Sequence, residues 1–139
     1  MQRGVLMITG GCFCGDITYE FDGALRDARS CHCSRCRKAF SAQASAYALV
    51  DANTFRWLSS EHLLTSYLNA DGYGVQFCSQ CGSTLCGVFE KTVHGVTLGC
   101  VDGDPKVELA RHIFVGSKAS WETIAQGTPQ YEEHVPVTT

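Results

Sequence analysis

Hydrophobic residues recur at every second position in several short segments of the chain. In residues 16–21 (DITYEF), Ile17, Tyr19 and Phe21 alternate with polar residues, which predicts a strand with one buried face. A similar alternation in residues 73–77 leads directly into a cysteine. Shorter or weaker patterns predict further strands at residues 46–50, 55–58, 62–68, 85–89, 96–101 and 111–115.

Helical patterns are few and short. Ser34 is predicted to begin a helix that runs through Phe40, and Ser120 is predicted to cap one that runs to Ile124. The chain therefore predicts a mainly β fold with many short antiparallel strands and very little helix. Its 139 residues contain no linker or low-complexity tract, so we expect one domain over residues 1–139.

Charge and hydropathy exclude several classes of partner. The chain has 11 basic and 14 acidic residues, so it lacks the basic excess of a general nucleic-acid binder. Its first residues lack the long apolar core of a signal peptide, and no apolar run approaches the roughly 18 residues of a membrane span. We therefore expect a cytoplasmic protein that binds neither nucleic acid nor membranes; the sequence does not predict an oligomeric state.

Nine cysteines are many for a cytoplasmic chain. An odd number without a secretory signal favours metal ligation over disulfides. By spacing, the cysteines fall into four groups: Cys12 and Cys14; Cys31, Cys33 and Cys36; Cys78 and Cys81; and the isolated Cys86 and Cys100. The last two lie in apolar segments, where we expect them to pack in the core.

The two paired groups together have the composition of a structural zinc site. Such a site usually takes four ligands as two pairs from distant segments. Cys78 and Cys81 form a CxxC turn followed by Gly82, which is typical of a zinc knuckle. Cys12 and Cys14 form a CxC pair among glycines, which would allow the sharp bend that two sulfurs on one metal require.

The third group supplies three ligands from one short segment, CHCSRC. Three protein ligands with an open position are typical of a catalytic zinc. Alternatively, His32 or His112 could supply a fourth ligand and close a structural site. The spacing of the cysteines does not decide between the two. Five of the eleven basic residues surround this group, and nearby cations lower thiol pKa values and attract anionic thiols. They are Arg26, Arg29, Arg35, Arg37 and Lys38.

Four segments together resemble the glutathione-dependent formaldehyde-activating enzyme family, which also includes centromere protein V. They are GGCFCGDITYEF, CHCSRCRKAF, FCSQCGSTL and RHIFVGSKASWE, and the resemblance runs from about residue 11 to residue 132. It implies a fold of stacked antiparallel β-sheets stapled by zinc. It also implies two zinc ions per chain: a structural one on Cys12, Cys14, Cys78 and Cys81, and a catalytic one with a vacant position on Cys31, Cys33 and Cys36.

The reaction implied by the resemblance is that of a carbon–sulfur lyase that adds glutathione to formaldehyde. We expect Arg35, Arg37 and Lys38 to receive the carboxylates of such a thiol. His112 is the candidate proton donor to the new alkoxide, with a purely structural, hydrogen-bonded histidine as the alternative. The chain resembles the short-form members of the family. Formaldehyde-active members are longer and tend to carry an aromatic residue and a proline after the third cysteine, where this chain has RKAF, and the basic extension of a chromatin-binding member is absent.

Two other functions remain compatible with these patterns. One is a non-catalytic zinc-binding module in which both metals are structural, and the other is a carrier of zinc or of a small thiol. Outside the cysteines, we expect Phe114 and Trp121 to pack in the core, and we predict no role for Ser117 or Lys118, although both match the family pattern.

Overall fold

Ten strands form two sheets in the part of the chain that the structure describes, residues 7–135 of a computed structural model. The strands are β1 (Met7–Gly11), β2 (Thr18–Asp22), β3 (Arg26–Cys31), β4 (Tyr47–Leu49), β5 (Arg56–Ser59), β6 (Leu64–Leu68), β7 (Tyr73–Cys78), β8 (Thr84–Phe89), β9 (Thr92–Thr97) and β10 (Arg111–Ile113). One α-helix, α1 (Ser34–Phe40), and three 3₁₀ turns (Glu61–Leu63, Leu98–Cys100 and Val115–Ser117) complete the regular elements of these residues. The predicted mainly β fold with little helix is confirmed.

The two sheets differ in size and in strand direction. The smaller has the order β1-β2-β5, and the larger has the order β10-β3-β4-β9-β8-β7-β6. The strand pairs are antiparallel as predicted, with one exception: β10 pairs with β3 in parallel. These two strands are far apart in the sequence, so no hairpin forces them to run in opposite directions.

The hydrophobic core lies between the sheets. Ile17, Tyr19 and Phe21, which the alternating pattern placed on one face of a strand, are at most 1% exposed. They pack against Leu85 and Val96 of the larger sheet in a single cluster of buried side chains. The same cluster contains Cys12 and Cys78, so the cysteine pairs begin at the edge of the core.

Several local predictions are confirmed and others are wrong. Helix α1 has the predicted bounds, and the strand predicted at residues 96–101 instead ends at Thr97 and continues as a 3₁₀ turn. The helix predicted from Ser120 does not form. Instead, the ammonium group of Lys118 bonds the carbonyl oxygen of Glu122 at 2.6 Å, which closes the segment into an irregular turn.

The aromatic residues near the end of the described chain lie closer to the surface than expected. Trp121 is 69% exposed, so its predicted place in the core is wrong, because the irregular segment does not turn the ring inward. Phe114 is half-buried and packs against the ring of His134 at 4.7 Å. Cys86 is fully buried as predicted, whereas Cys100 is half-buried. No helix within residues 7–135 is long and apolar enough to cross a membrane.

Candidate metal centres and active site

The four sulfurs of Cys12, Cys14, Cys78 and Cys81 lie within 4.8 Å of one another. We call them the quartet. Cys12 directly follows β1 of the small sheet, whereas Cys78 ends β7 of the large sheet. The quartet therefore joins the two sheets at one edge of the core.

Two glycine-containing turns bring the quartet together. The N–H of Gly15 donates to the carbonyl oxygen of Cys12 at 3.0 Å, and the N–H of Gly82 donates to that of Cys78 at 2.8 Å. Both glycines have positive φ angles, 83° and 80°, a conformation that side-chain-bearing residues rarely adopt. The turns close each pair onto a common point, as the knuckle pattern predicted.

Hydrogen-bond donors surround the quartet. The amide nitrogen of Gln80 lies 3.2 Å from the sulfur of Cys14 and 2.7 Å from a carboxylate oxygen of Asp16, which orients it. Although burial opposes ionisation, hydrogen bonds from Ser83 lower the pKa of Cys81 to about 6. Donors of this kind stabilise thiolates and orient metal ligands.

The sulfurs of Cys31, Cys33 and Cys36 form a second cluster within 4.8 Å, which we call the triplet. Cys31 ends β3, and Cys33 is the N-cap of α1, where its sulfur accepts the N–H of Cys36 at 3.3 Å. Ser45 fixes Cys31 from the neighbouring segment, because its hydroxyl accepts the N–H of Cys31 at 3.2 Å. A strand end and a helix start thus present three thiols from six residues.

The crowding of the triplet changes its protonation. Hydrogen bonds from Cys31 and Cys36 lower the pKa of Cys33 to about 2. Hydrogen bonds with Cys33 and with Cys36 raise the pKa of Cys31 far above its ordinary value. Three thiols this close favour a shared negative charge.

Both clusters fit zinc by the chemistry of their donors. Thiolate sulfur is the preferred ligand of zinc in closed four-cysteine sites, and three ligands are the usual protein share of an open site. Within residues 7–135, no histidine nitrogen or carboxylate oxygen joins the triplet at the 4.8 Å spacing. Neither His32 nor His112 thus completes the closed Cys₃His arrangement that the sequence left open.

The two histidines instead contact each other. His32 is 1% exposed, and its Nε2 lies 3.0 Å from Nδ1 of His112. Burial lowers the pKa of both rings. His112 is held in place by the end of the described chain, because its N–H donates to the carbonyl oxygen of Pro129 at 2.8 Å and its own carbonyl oxygen accepts the N–H of Tyr131 at 2.9 Å.

The basic residues around the triplet have different environments. Arg35 and Lys38 are exposed on α1. Arg37 is half-buried, and its Nε is buried without a hydrogen-bond partner. Arg29 pairs with Asp27. Arg37 is thus the member of the predicted carboxylate-binding group that carries a buried, unsatisfied donor.

Tyr47, which lies on β4 directly opposite Arg29 of β3, was not among the predicted site residues. Burial raises the pKa of Tyr47 to about 12, with smaller effects from Arg29 and from the thiols of Cys31 and Cys36. No pattern in the sequence could identify this tyrosine, because its neighbours are set by the pairing of β4 with β3. Residues 26–31 (RDARSC) lack the alternating apolar pattern that predicts a strand.

A groove of about 470 Å³ lies between the end of α1 and the turn after Cys81. Phe40, Ser83 and Cys100 line it together with small residues, and no charged side chain takes part. Neither the triplet sulfurs nor the three predicted carboxylate-binding residues line this groove. It does not define the site that the cysteines predict.

The fold is mainly β, and two cysteine clusters are able to hold metal. These features place the protein in the class of β-fold proteins with candidate zinc sites. The family model described as glutathione-dependent formaldehyde-activating enzyme matches residues 7–117, and the chain belongs to this family. A solved crystal structure of a protein from Rhodobacter sphaeroides is similar in fold, with a TM-score of 0.54 and 26% sequence identity. The similarity covers 69% of this chain and 89% of that protein.

Proposed function

We propose that this protein is a zinc-dependent carbon–sulfur lyase that adds a small thiol such as glutathione to an aldehyde such as formaldehyde. The observation that supports this proposal most directly is the triplet, whose three sulfurs converge without a fourth protein ligand among the described residues. A site that holds a metal through three ligands leaves a position for a ligand from solution. Family membership supports the same type of reaction.

In this proposal Cys31, Cys33 and Cys36 hold the catalytic zinc, and Cys12, Cys14, Cys78 and Cys81 hold the structural one. When bound at the triplet, zinc supplies a positive charge that keeps an incoming thiol ionised at neutral pH. With its metal bound, the quartet contributes to folding, because it ties β1 to β7 at one edge of the core.

The reaction forms one carbon–sulfur bond. The thiol loses its proton, its sulfur adds to the carbonyl carbon, and the π electron pair of the C=O bond moves onto the oxygen, which then takes a proton. The chain's own cations, Arg35, Arg37 and Lys38, attract and orient the carboxylates of the thiol. The proposed source of that proton is His112, whose Nδ1 contacts His32 and whose Nε2 is therefore available, with water as the alternative source.

The proposal is tested by following adduct formation with exchange NMR spectroscopy. Zinc-loaded protein is mixed with glutathione and formaldehyde, and the exchange rate is compared with that in buffer. Cys33→Ser removes one sulfur of the triplet and should return the rate to that of buffer. Cys100→Ser, in the groove and outside both clusters, is the matched control and should retain the rate. Equal rates with wild-type protein and with buffer would refute this substrate pair.

A further inference from the structure

The face of the large sheet that carries Cys31 also carries Tyr47. Arg29 and Tyr47 are directly paired across β3 and β4. Two residues further along, Cys31 faces Ser45, because the N–H of Ser45 donates to the carbonyl oxygen of Cys31 at 3.0 Å. Alternate residues of a strand share a face and directly paired residues project to the same side, so Arg29, Cys31 and Tyr47 lie on one face. Tyr47 is the diagonal neighbour of Cys31, a relationship within reach of an aromatic side chain.

Charged neighbours fix the position of this tyrosine. The guanidinium carbon of Arg29 lies 6.0 Å from the centroid of the Tyr47 ring. Arg29 is itself paired with Asp27, whose other carboxylate oxygen lies 2.8 Å from Arg111 on β10. A guanidinium held by a carboxylate on one side cannot move freely away from the ring on the other.

Strand β9, the other neighbour of β4, packs closely against the Tyr47 ring. A Cβ atom at Gly95 of β9 would lie 3.2 Å from Cδ2 of Tyr47 and only 2.7 Å from the carbonyl oxygen of Ala48. Glycine at this position therefore lets β9 approach β4 beside the ring. Tyr47 is confined on two sides, by Arg29 and by the backbone of β9.

The histidine pair occupies the other face of β3. His112 pairs with Ser30 in the parallel register, and Ser30 alternates with Arg29 and Cys31. Side chains at His112 and at Tyr47 thus leave the sheet in opposite directions. An aldehyde bound on the Cys31 face has Tyr47, and not His112, on its own side of the sheet.

We propose that Tyr47 is a catalytic residue whose phenol O–H donates a hydrogen bond to the aldehyde oxygen while a thiol adds at the triplet. The proposal rests on the proposed function. As the carbon–sulfur bond forms, the π electron pair moves onto the oxygen, and the Tyr47 O–H stabilises the negative charge that develops there. The oxygen finally takes one proton from water, because His112 lies on the other face of β3, and this proton balances the one that the thiol lost to solvent. A neutral phenol suits this role because its ordinary pKa is near 10, so it remains a donor at neutral pH.

Such a donor has a large expected effect. Removing one hydrogen-bond donor that acts on a developing oxyanion typically lowers the rate about 10²-fold or more. The site residues predicted from the sequence are charged or metal-ligating, whereas Tyr47 is a half-buried, uncharged tyrosine. The register of β3 and β4, which no local sequence pattern reveals, places Tyr47 beside Cys31.

The test compares two sulfur ligands that differ by one oxygen. Thioacetate carries an oxygen on the same carbon as its sulfur, as the proposed adduct does, and ethanethiol lacks that oxygen. Dissociation constants of both are measured by calorimetry with zinc-loaded wild-type protein, with Tyr47→Phe and with Tyr67→Phe. Tyr67 is 67% exposed on the edge strand β6 and is the matched control for loss of a phenol oxygen.

We expect Tyr47→Phe to weaken thioacetate binding about tenfold, and to change ethanethiol binding less than twofold. Tyr67→Phe should leave both unchanged. Equal effects of Tyr47→Phe on the two ligands, or no effect on either, would overturn the role of Tyr47 while leaving a thiol site intact. If neither ligand binds wild-type protein, the thiol site of the proposed function fails, and this inference fails with it.

The exchange assay provides a second readout. Tyr47→Phe should lower kcat for adduct formation at least tenfold, with the KM for the thiol unchanged. A rise in that KM with unchanged kcat would instead assign Tyr47 to thiol binding and overturn its role at the aldehyde. Thermal unfolding of the two phenylalanine variants, measured in parallel, checks that both fold as the wild type does.

Discussion

Nε2 of His32 lies 3.0 Å from Nδ1 of His112, although 80 positions separate the two residues in the sequence. His32 stands between two cysteines of the triplet, and His112 belongs to β10, whose backbone is bonded to residues 129 and 131. The contact therefore connects the candidate catalytic segment to the final segment of the described chain. Because the His32 ring is buried, loss of its partner leaves a polar atom without a hydrogen bond.

The first prediction concerns the contribution of this contact to stability. His112→Ala should lower the free energy of unfolding by about 1–3 kcal/mol, the usual cost of a buried polar atom that loses its partner. His112→Gln retains a hydrogen-bonding side chain and should lose less. Urea unfolding of the zinc-loaded protein measures both, with the exposed His62→Ala as control. A loss in His112→Ala no larger than in His62→Ala would contradict the prediction.

The second prediction concerns pH. Burial lowers the pKa of His112 in the folded protein, so the unfolded chain binds more protons on this side chain near pH 6. The stability associated with the neutral ring is fully present above the ordinary histidine pKa of about 6.5, and is lost as the pH falls below it.

The measurement is the difference between wild type and His112→Gln at two pH values, because acid also protonates cysteine ligands in both proteins. Wild type should lose more stability than His112→Gln between pH 7.5 and pH 5.5. Parallel losses in the two proteins would show that the His112 ring does not contribute to the acid sensitivity.

The fold could be predicted from sequence wherever side chains report on their own strand. Ile17, Tyr19 and Phe21 alternate with polar residues because one face of β2 lies in the core. Helix α1 has its predicted bounds because its N-cap, Cys33, accepts a hydrogen bond from Cys36 within the same segment. The strand β3 was not predicted, because its charged residues are neutralised by ion pairs that no local sequence pattern reveals. Asp27, in β3, contacts Arg111, which is distant in the sequence.

The candidate site was likewise predicted only in part. Spacing and the resemblance to the family grouped the seven cysteines as the structure places them, although their role as zinc ligands remains a prediction. The surroundings of the triplet could not be predicted, because Tyr47 and His112 approach through the register of neighbouring strands. Cysteines that are close in the sequence form a recognisable motif. Tyr47 and His112 reach the neighbourhood of the triplet only through strand pairing.

The third prediction concerns the relative affinity of the two metal clusters. A chelator should remove zinc from the triplet before the quartet, because three protein ligands release a metal more readily than four. Zinc release is followed with a colorimetric chelator while circular dichroism reports folding. The first equivalent should leave with the fold retained, and loss of the second should unfold the chain.

Variants assign the two phases of zinc release. Cys36→Ser should abolish only the early phase, whereas Cys81→Ser should destabilise the protein and remove the late phase. Early unfolding together with the first equivalent would reverse the assignment of the structural and the catalytic cluster.

The last prediction separates the three cations proposed to bind carboxylates. Arg37 is half-buried with an unpaired Nε, whereas Arg35 and Lys38 are exposed, where solvent screens a charge pair to about 0–1 kcal/mol. Arg37→Gln should therefore raise the KM for glutathione about tenfold, and Arg35→Gln and Lys38→Gln should each raise it less than about threefold. The uncharged thiol 2-mercaptoethanol is the control substrate, and its KM should not change in any of the three variants. If Arg37→Gln raises the KM of both thiols equally, Arg37 supports the shape of the site and does not bind a carboxylate.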